Sequence, residues 1–138
     1  DVPKNKILFL DHQLNRYDHL ELYNKIDLAL DTFPYPGVTT SCEAVLMAVP
    51  VLTMKGYHFN SRCGESININ LKMEDFIAKN KNDYVNKAIY WQHNSKTLKK
   101  LKQNLRAKAL SSPVFDTESF TKDFTNTIKE VYLKKINT

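Results

Sequence analysis

An α/β fold, with a parallel sheet followed by several helices, is what this sequence predicts, and three observations carry it. Short apolar runs bounded by polar segments, KILFL (Lys6 to Leu10), DLALD (Asp27 to Asp31) and VLTM (Val51 to Met54), read as strands buried in a parallel sheet. Segments of helical period lie between them, so the order is strand, helix, strand, helix, strand, as in βαβ units. Beyond about residue 83 the pattern is helical to the end.

Each element has its own signal. From about Asn15 to Lys25, Tyr17, Leu20 and Tyr23, with Leu22 and Ile26 nearby, follow a helical and not an alternating pattern. After the second strand comes FPYPGVTT, in which two prolines fix the approach and Gly37 admits a backbone conformation closed to other residues. Thr40 to Val49 then reads as a helix that starts on Thr/Ser cap candidates and stops before Pro50. Past Gly56 the chain turns irregular, with a helix over Asn60 to Ile69, and KNKND reads as a loop. Helices are expected over Asp83 to His93, Ser95 to Leu110 and Thr117 to Lys134, the last with Phe120, Phe124, Ile128 and Val131 on one stripe. SSP, Ser111 to Pro113, separates the last two.

A chain of 138 residues, 42% hydrophobic and 25% charged, can bury one ordinary core. Residues 1–138 are therefore read as one domain. Three strands are few for a doubly wound sheet, whose halves contribute about three each. The expectation is a C-terminal piece, incomplete without upstream sequence, whose long run of helices closes the fold. Such an incomplete sheet exposes apolar strand surface and favours association.

No apolar run approaches the roughly 20 residues needed to cross a bilayer, and DVPKNKILFL lacks the layout of a signal peptide. Cys42 and Cys63 have neither metal-ligand spacing nor a disulfide framework. A cytoplasmic setting without a membrane partner is expected. The net charge of +5 concentrates in SKTLKKLKQNLRAKAL, where Lys96, Lys99, Lys100, Lys102, Arg106 and Lys108 accompany an apolar stripe of Leu98, Leu101, Leu105 and Ala109. This reads as a surface helix with a solvated basic face. No aromatic residue is interleaved to stack on bases, so the pattern points away from nucleic acid.

In an open parallel α/β sheet, ligands sit beyond the carboxyl ends of the strands, where Thr32 to Thr39 fall if DLALD is a strand. The following helix would offer unpaired N–H groups and the positive end of its dipole, and Thr39, Thr40 and Ser41 add hydroxyls, a setting for phosphate. Glu43, one turn on, could accept from sugar hydroxyls; a ligand with both groups in that order is a nucleoside diphosphate. Equally, Thr40 or Ser41 could be an N-cap and Glu43 a favourable charge at a helix start. A Walker lysine and GxGxxG are both absent, which removes the signatures of an ATPase and of an ordinary dinucleotide site.

DLALDTFPYP followed by GVTTSCEAVLMAVPV resembles the nucleotide-sugar segment of the GT-B glycosyltransferases, specifically the O-GlcNAc transferase and SPINDLY family, glycosyltransferase family 41. The similarity continues in order through LTMKGYHFNSRCGESI, EDFIAKNKNDY and SSPVFDTESFTKDF. It implies a partial Rossmann-like sheet from the C-terminal part of the second GT-B domain. It also implies a cytoplasmic enzyme that moves a sugar, GlcNAc from UDP-GlcNAc, to protein Ser/Thr hydroxyls. GDP-fucose-dependent protein O-fucosyl transfer within the same family, and a non-catalytic nucleotide-binding or scaffold module, are the alternatives.

The resemblance places the diphosphate-binding threonines on Thr39 and Thr40, with Gly37 and the Val38 backbone shaping the turn. The acidic ribose-binding residue falls on Glu43, and the basic residue and histidine beside the base fall on Arg16 and His19. There are departures. Val38 stands where animal enzymes have histidine, Ala48 where Gly is frequent, a mild change between small residues, and Glu43 where Asp is frequent. No cofactor or metal is implied, since the nucleotide sugar is itself the donor substrate. The family's leaving-group lysine, acceptor site and proposed bases lie upstream, as do helical repeats that meet the acceptor protein. This chain is accordingly assigned no catalytic residue, and it is expected not to catalyse transfer alone.

Other candidates read as structural. His12, His58 and His93 show no metal or triad arrangement. Arg62 fits either a position facing the site or a helix-start salt bridge, and Tyr57 and Phe59 are expected to pack rather than to form sugar platforms.

Overall fold

A computed structural model describes residues 2–11 and 13–136; His12, read above as structural or surface, lies outside the described residues. The elements run α1 (Arg16–Glu21), β1 (Ala29–Leu30), α2 (Thr39–Leu46), β2 (Val51–Met54), α3 (Cys63–Asn70), β3 (Ile77–Ala78), α4 (Lys81–His93), α5 (Ser95–Leu110) and α6 (Thr117–Ile136), with short 3-10 turns between some of them. The sheet is parallel throughout, in the order β1-β2-β3, with Ala29 opposite Val51 and Thr53 opposite Ile77. β2 is the central strand, and its first three residues are buried, as expected of a strand covered on both faces.

The predicted sheet is thus right in class and shifted in membership. Lys6 to Leu10 is not a strand: Lys4–Lys6 forms a 3-10 turn, and Leu8 and Phe9 stand 76% and 89% exposed. An apolar run becomes a strand only where a neighbouring strand accepts and donates its backbone bonds, and among the described residues none flanks this segment. β3 takes the third place instead. It is two residues long, too short to register as an apolar run. The strand expected over Asp27 to Asp31 contracts to Ala29–Leu30, bounded by bonds from Ala29 N to Pro50 O and from Asp31 N to Leu52 O.

Helix boundaries follow their caps. α4 begins at Lys81, two residues before the expected start, because Asn80 Oδ1 accepts from the Asp83 N–H while Asp83 Oδ2 accepts from the Lys79 N–H. Three of the five residues of KNKND are therefore helix. α2 ends three residues earlier than expected, in a Schellman turn: the Val49 N–H donates to Ala44 O at 2.8 Å and Ala48 takes a left-handed φ of 59°. Glycine at Ala48 would differ in backbone freedom and not only in size.

The core gathers Ala44 and Val45 of α2, Val51 of β2, Ile67 and Leu71 around α3, Phe76, and Trp91, Leu98, Leu105 and Ala109 of the late helices. Phe76 and Trp91 stack with ring centroids 4.4 Å apart. Asn68, 1% exposed, donates from Nδ2 to Val51 O and Phe76 O, tying α3 to the sheet.

The basic face of α5 is less solvated than its composition suggests. Lys102 donates to Ile26 O and Asp27, Arg106 to Leu46 O, and Lys108 to Lys72 O. Three of the six cations thus bond backbone carbonyls, two of them at or just past the ends of α2 and α3, where such donors satisfy orphan acceptors. α6 does not close the fold as expected, since its stripe of Phe120, Phe124, Ile128 and Val131 is more than half exposed at every position. No helix here is long and apolar enough to cross a membrane among the described residues.

Ala48→Gly should stabilise the chain by about 0.5–1 kcal/mol, by relieving the left-handed conformation of a residue that carries a Cβ. The midpoint of chemical denaturation at unchanged m-value checks it.

Candidate functional site

The site is built where β1 ends. Asp31 follows the strand directly, and its carboxylate accepts on both oxygens: Oδ1 from the Gly37 N–H at 2.7 Å and the Thr32 N–H at 3.1 Å, Oδ2 from Thr53 Oγ1 at 3.0 Å. Its backbone carbonyl accepts from the Tyr84 hydroxyl at 2.8 Å. Burial, and then the Asp31 charge, push the Tyr84 phenol up to about 12, so it is a firm donor at neutral pH.

The loop from Thr32 to Val38 leaves this anchor and returns into α2. Its Phe33–Pro34 peptide is cis, and Pro36 is buried. Gly37 is required, but not for the reason its sequence suggests: its φ is not in the left-handed region. What forces glycine is space, since a Cβ there would collide with Thr40 Oγ1 and lie 2.8 Å from Ser41 Oγ.

α2 starts at Thr39, with Val38 at its N-cap and no side-chain cap bond. Neither Thr40 nor Ser41 is therefore the cap that one reading allowed. Ser41 Oγ donates to Gly37 O instead, and the first intrahelical backbone bond runs from Cys42 N to Val38 O. Thr39 and Thr40, the first residues of the helix, line an open depression of about 440 Å³ together with Leu30, Asp31 and the loop. That volume is in the range of small-molecule sites. Thr39 and Thr40 are exposed, and Val38 is half-exposed.

The remaining candidates form a second group beside this loop. Glu43, on α2, has a side chain only 15% exposed; His19 Nε2 lies 3.3 Å from its Oε2, and Arg16 Nη2 lies 3.8 Å from its Oε1. Both partners come from α1, which starts where Asn15 Oδ1 accepts from the Asp18 N–H. Tyr23, which the sequence reading left in the helical pattern, connects the two groups. Its ring meets His19 edge-on at 5.7 Å, and its hydroxyl donates to Thr40 O at 3.2 Å. The signal for it was its place one turn after His19. Burial and the nearby Glu43 charge push both the Tyr23 phenol and the Cys42 thiol up.

The seven predicted residues thus fall in two groups, Gly37, Val38, Thr39 and Thr40 at the depression and Arg16, His19 and Glu43 joined to it through Tyr23. Sequence reading missed Asp31, Thr53 and Tyr84. Asp31 looked like the polar end of a strand, and Tyr84 lies 53 residues away, so no local pattern could join them.

Arg62 makes the expected salt bridge and also lines a second cavity, shared with Val38. Its Nε lies 2.7 Å from Glu65 Oε2, and Lys55 Nζ lies 3.1 Å from Oε1. Burial raises the Glu65 carboxyl, but hydrogen bonds from Arg62 and Lys55 outweigh it and hold the group below its ordinary value of 4.5. Tyr57 and Phe59 do not pack as expected; they are 80% and 86% exposed, on the rim of that second cavity. No group of three or more metal-ligating side chains occurs among the described residues.

The model for glycosyl transferase family 41 matches residues 1–124. The chain is 34% identical over 116 residues to "Probable UDP-N-acetylglucosamine--peptide N-acetylglucosaminyltransferase SPINDLY" of Hordeum vulgare, an alignment covering 84% of this chain and 12% of the barley protein. The Arabidopsis thaliana protein of the same name is 33% identical over 121 residues, 88% of this chain and 13% of its own length. Among solved structures, a Thermobaculum terrenum O-GlcNAc transferase carrying K341M superposes with a TM-score of 0.77 at 33% identity, over 85% of this chain and 22% of the other. The chain thus spans about one eighth of the length of the curated relatives it matches.

Two outcomes follow from this geometry. Gly37→Ala should lower stability by about 1–3 kcal/mol, as overpacking does in tight sites, read by urea denaturation. Glu65→Gln should cost roughly 1.5–3 kcal/mol at pH 7, where the charged acceptor is lost. Because the folded Glu65 sits below 4.5, the wild-type advantage is full above that pH. It fades as the pH falls through the depressed value, so thermal melts of the two proteins should converge in acid.

Proposed function

Because the chain belongs to glycosyl transferase family 41, we propose that it forms the donor-binding part of a glycosyltransferase that transfers a sugar from a nucleoside diphosphate to protein Ser/Thr hydroxyls. The observation that carries the reading is the start of α2, which has no side-chain cap and opens onto the depression at the carboxyl end of β1. Backbone amides and the positive end of a helix dipole favour a diphosphate there. In this assignment Thr39 and Thr40 hydrogen-bond the phosphates, Gly37 and the Val38 backbone shape the turn, and Glu43 accepts from the ribose. Arg16 and His19 flank the base and orient Glu43.

The donor we assign is UDP-GlcNAc, in keeping with the names of the relatives. In transfer, the anomeric C–O bond to the diphosphate breaks and a bond to the acceptor oxygen forms. The nucleoside diphosphate leaves with the electron pair, and the hydroxyl proton passes to a base. The residues lining the depression include no lysine or arginine, so these residues hold the donor and do not supply a cation to the leaving group. Acceptor recognition and that cation are assigned to the parts of the relatives that this chain does not span.

Calorimetric titration of the chain with UDP, GDP and ADP tests the assignment. UDP should bind in preference to ADP. Thr40→Ala and Glu43→Ala should each weaken it by about tenfold, the loss of one hydrogen bond at a charged group. Selective binding of GDP would move the donor to GDP-fucose. A folded chain that binds none of the three would overturn the donor-site assignment.

A further inference from the structure

The strongest unassigned feature is the convergence on Asp31 of residues far apart in sequence. Its carboxylate has both oxygens engaged, by two loop amides on one side and the Thr53 hydroxyl of β2 on the other. Tyr84 of α4 holds its carbonyl. A fourth element crowds the same point: a Cβ on Gly64 of α3 would collide with Thr53 Oγ1 and lie 2.9 Å from Asp31 Oδ2. β1, β2, α3, α4 and the loop therefore meet at one residue, α4 at its carbonyl and the others at its carboxylate.

That arrangement has a consequence for the depression. Asp31 is one of its lining residues, and a free carboxylate there would repel an anion. Here, however, both oxygens accept from the loop amides and the threonine hydroxyl, which directs the carboxylate into the protein's own donors. The Gly37 N–H is turned inward to Oδ1, and the Gly37 carbonyl is held by Ser41 Oγ. With both sides of Gly37 fixed, the amides that follow at the start of α2 are left for a ligand.

We propose that Asp31 is a positioning residue for diphosphate binding: it never touches the ligand, and it fixes Gly37 so that the start of α2 meets the phosphates. The proposal rests on the donor-site reading. Thr53 and Tyr84 act in turn on Asp31. Among the described residues no hydrogen bond or ion pair joins Asp31 to Arg16, His19 or Glu43, so the base and ribose end of the site should not depend on it.

The test uses the chain itself, with UDP and GDP and their nucleosides as probes, read by chemical-shift titration, and amide exchange at Gly37 read without ligand. Asp31→Asn keeps the shape but must place a donor at one of the two oxygen positions. It should raise the Kd for the nucleoside diphosphate by about tenfold or more and leave the nucleoside Kd within about twofold, while exchange at Gly37 accelerates and that at Ala44 and Val45 does not. Thr53→Val, which leaves the loop itself intact, should show the same split more weakly and stands in if Asp31→Asn fails to fold.

An equal loss for nucleoside and nucleoside diphosphate would overturn the positioning role in favour of a general structural one. So would a Gly37 amide already unprotected in the wild type. If the wild type binds a nucleoside diphosphate and both variants bind it equally well, Asp31 alone is refuted. If Gly37 is protected but the wild type binds none, the donor-site reading fails and the positioning role falls with it.

Discussion

The double-sided acceptance at Asp31 is the constraint on which the site depends. A carboxylate next to a strand end, half-buried, must find donors for both oxygens or lose its solvation without return. It finds them in Thr53, which lies beside it across the parallel ladder, and in the amides of Thr32 and Gly37. Parallel pairing in the register Leu30 opposite Leu52 brings the carboxyl ends of β1 and β2 together. The same register thus sets the sheet and anchors the loop.

From that anchor the remaining features follow by exclusion of space. Glycine is needed at 37 because Thr40 and Ser41 fold back over it, and at 64 because α3 must pass the Thr53–Asp31 bond closely. Neither glycine has a positive φ. Their role is packing around a polar node, which is costly to disturb because each donor removed leaves an acceptor unpaired.

The class of fold was legible in the sequence, as was the spatial grouping of the candidate residues, for physical reasons that also set the limit. α5 was legible end to end because its apolar stripe and flanking SSP are local signals. β2 was legible because a central strand buried on both faces must be apolar throughout. Ile7 to Leu10 carries the same composition and is not a strand, since composition describes one chain segment while a strand requires two. β3 and Asp31 failed to stand out for the converse reason: two residues of strand acquire their role only from a partner strand more than twenty residues away, and of the donors to Asp31 the Thr53 and Tyr84 hydroxyls are as distant. Tyr57 and Phe59 were misread as packing residues because aromatic content says nothing about which side of a loop faces the core.

The two groups of candidate residues also differ in how firmly the fold holds them. The loop to Thr40 is fixed by hydrogen bonds to β2, α4 and its own first helical turn. The Arg16 side chain, by contrast, is 79% exposed and meets Glu43 only at 3.8 Å, a pairing that solvent screens and that contributes little to stability. His19 is better held, between Glu43 and the Tyr23 ring. On the donor-site reading this gradient has a chemical sense. A diphosphate is the same group in every nucleotide and is met by rigid backbone, whereas the base differs among donors and is met by side chains on a short helix that can adjust. Discrimination between donors then rests on the α1 side of the site, and retention of any donor rests on the loop.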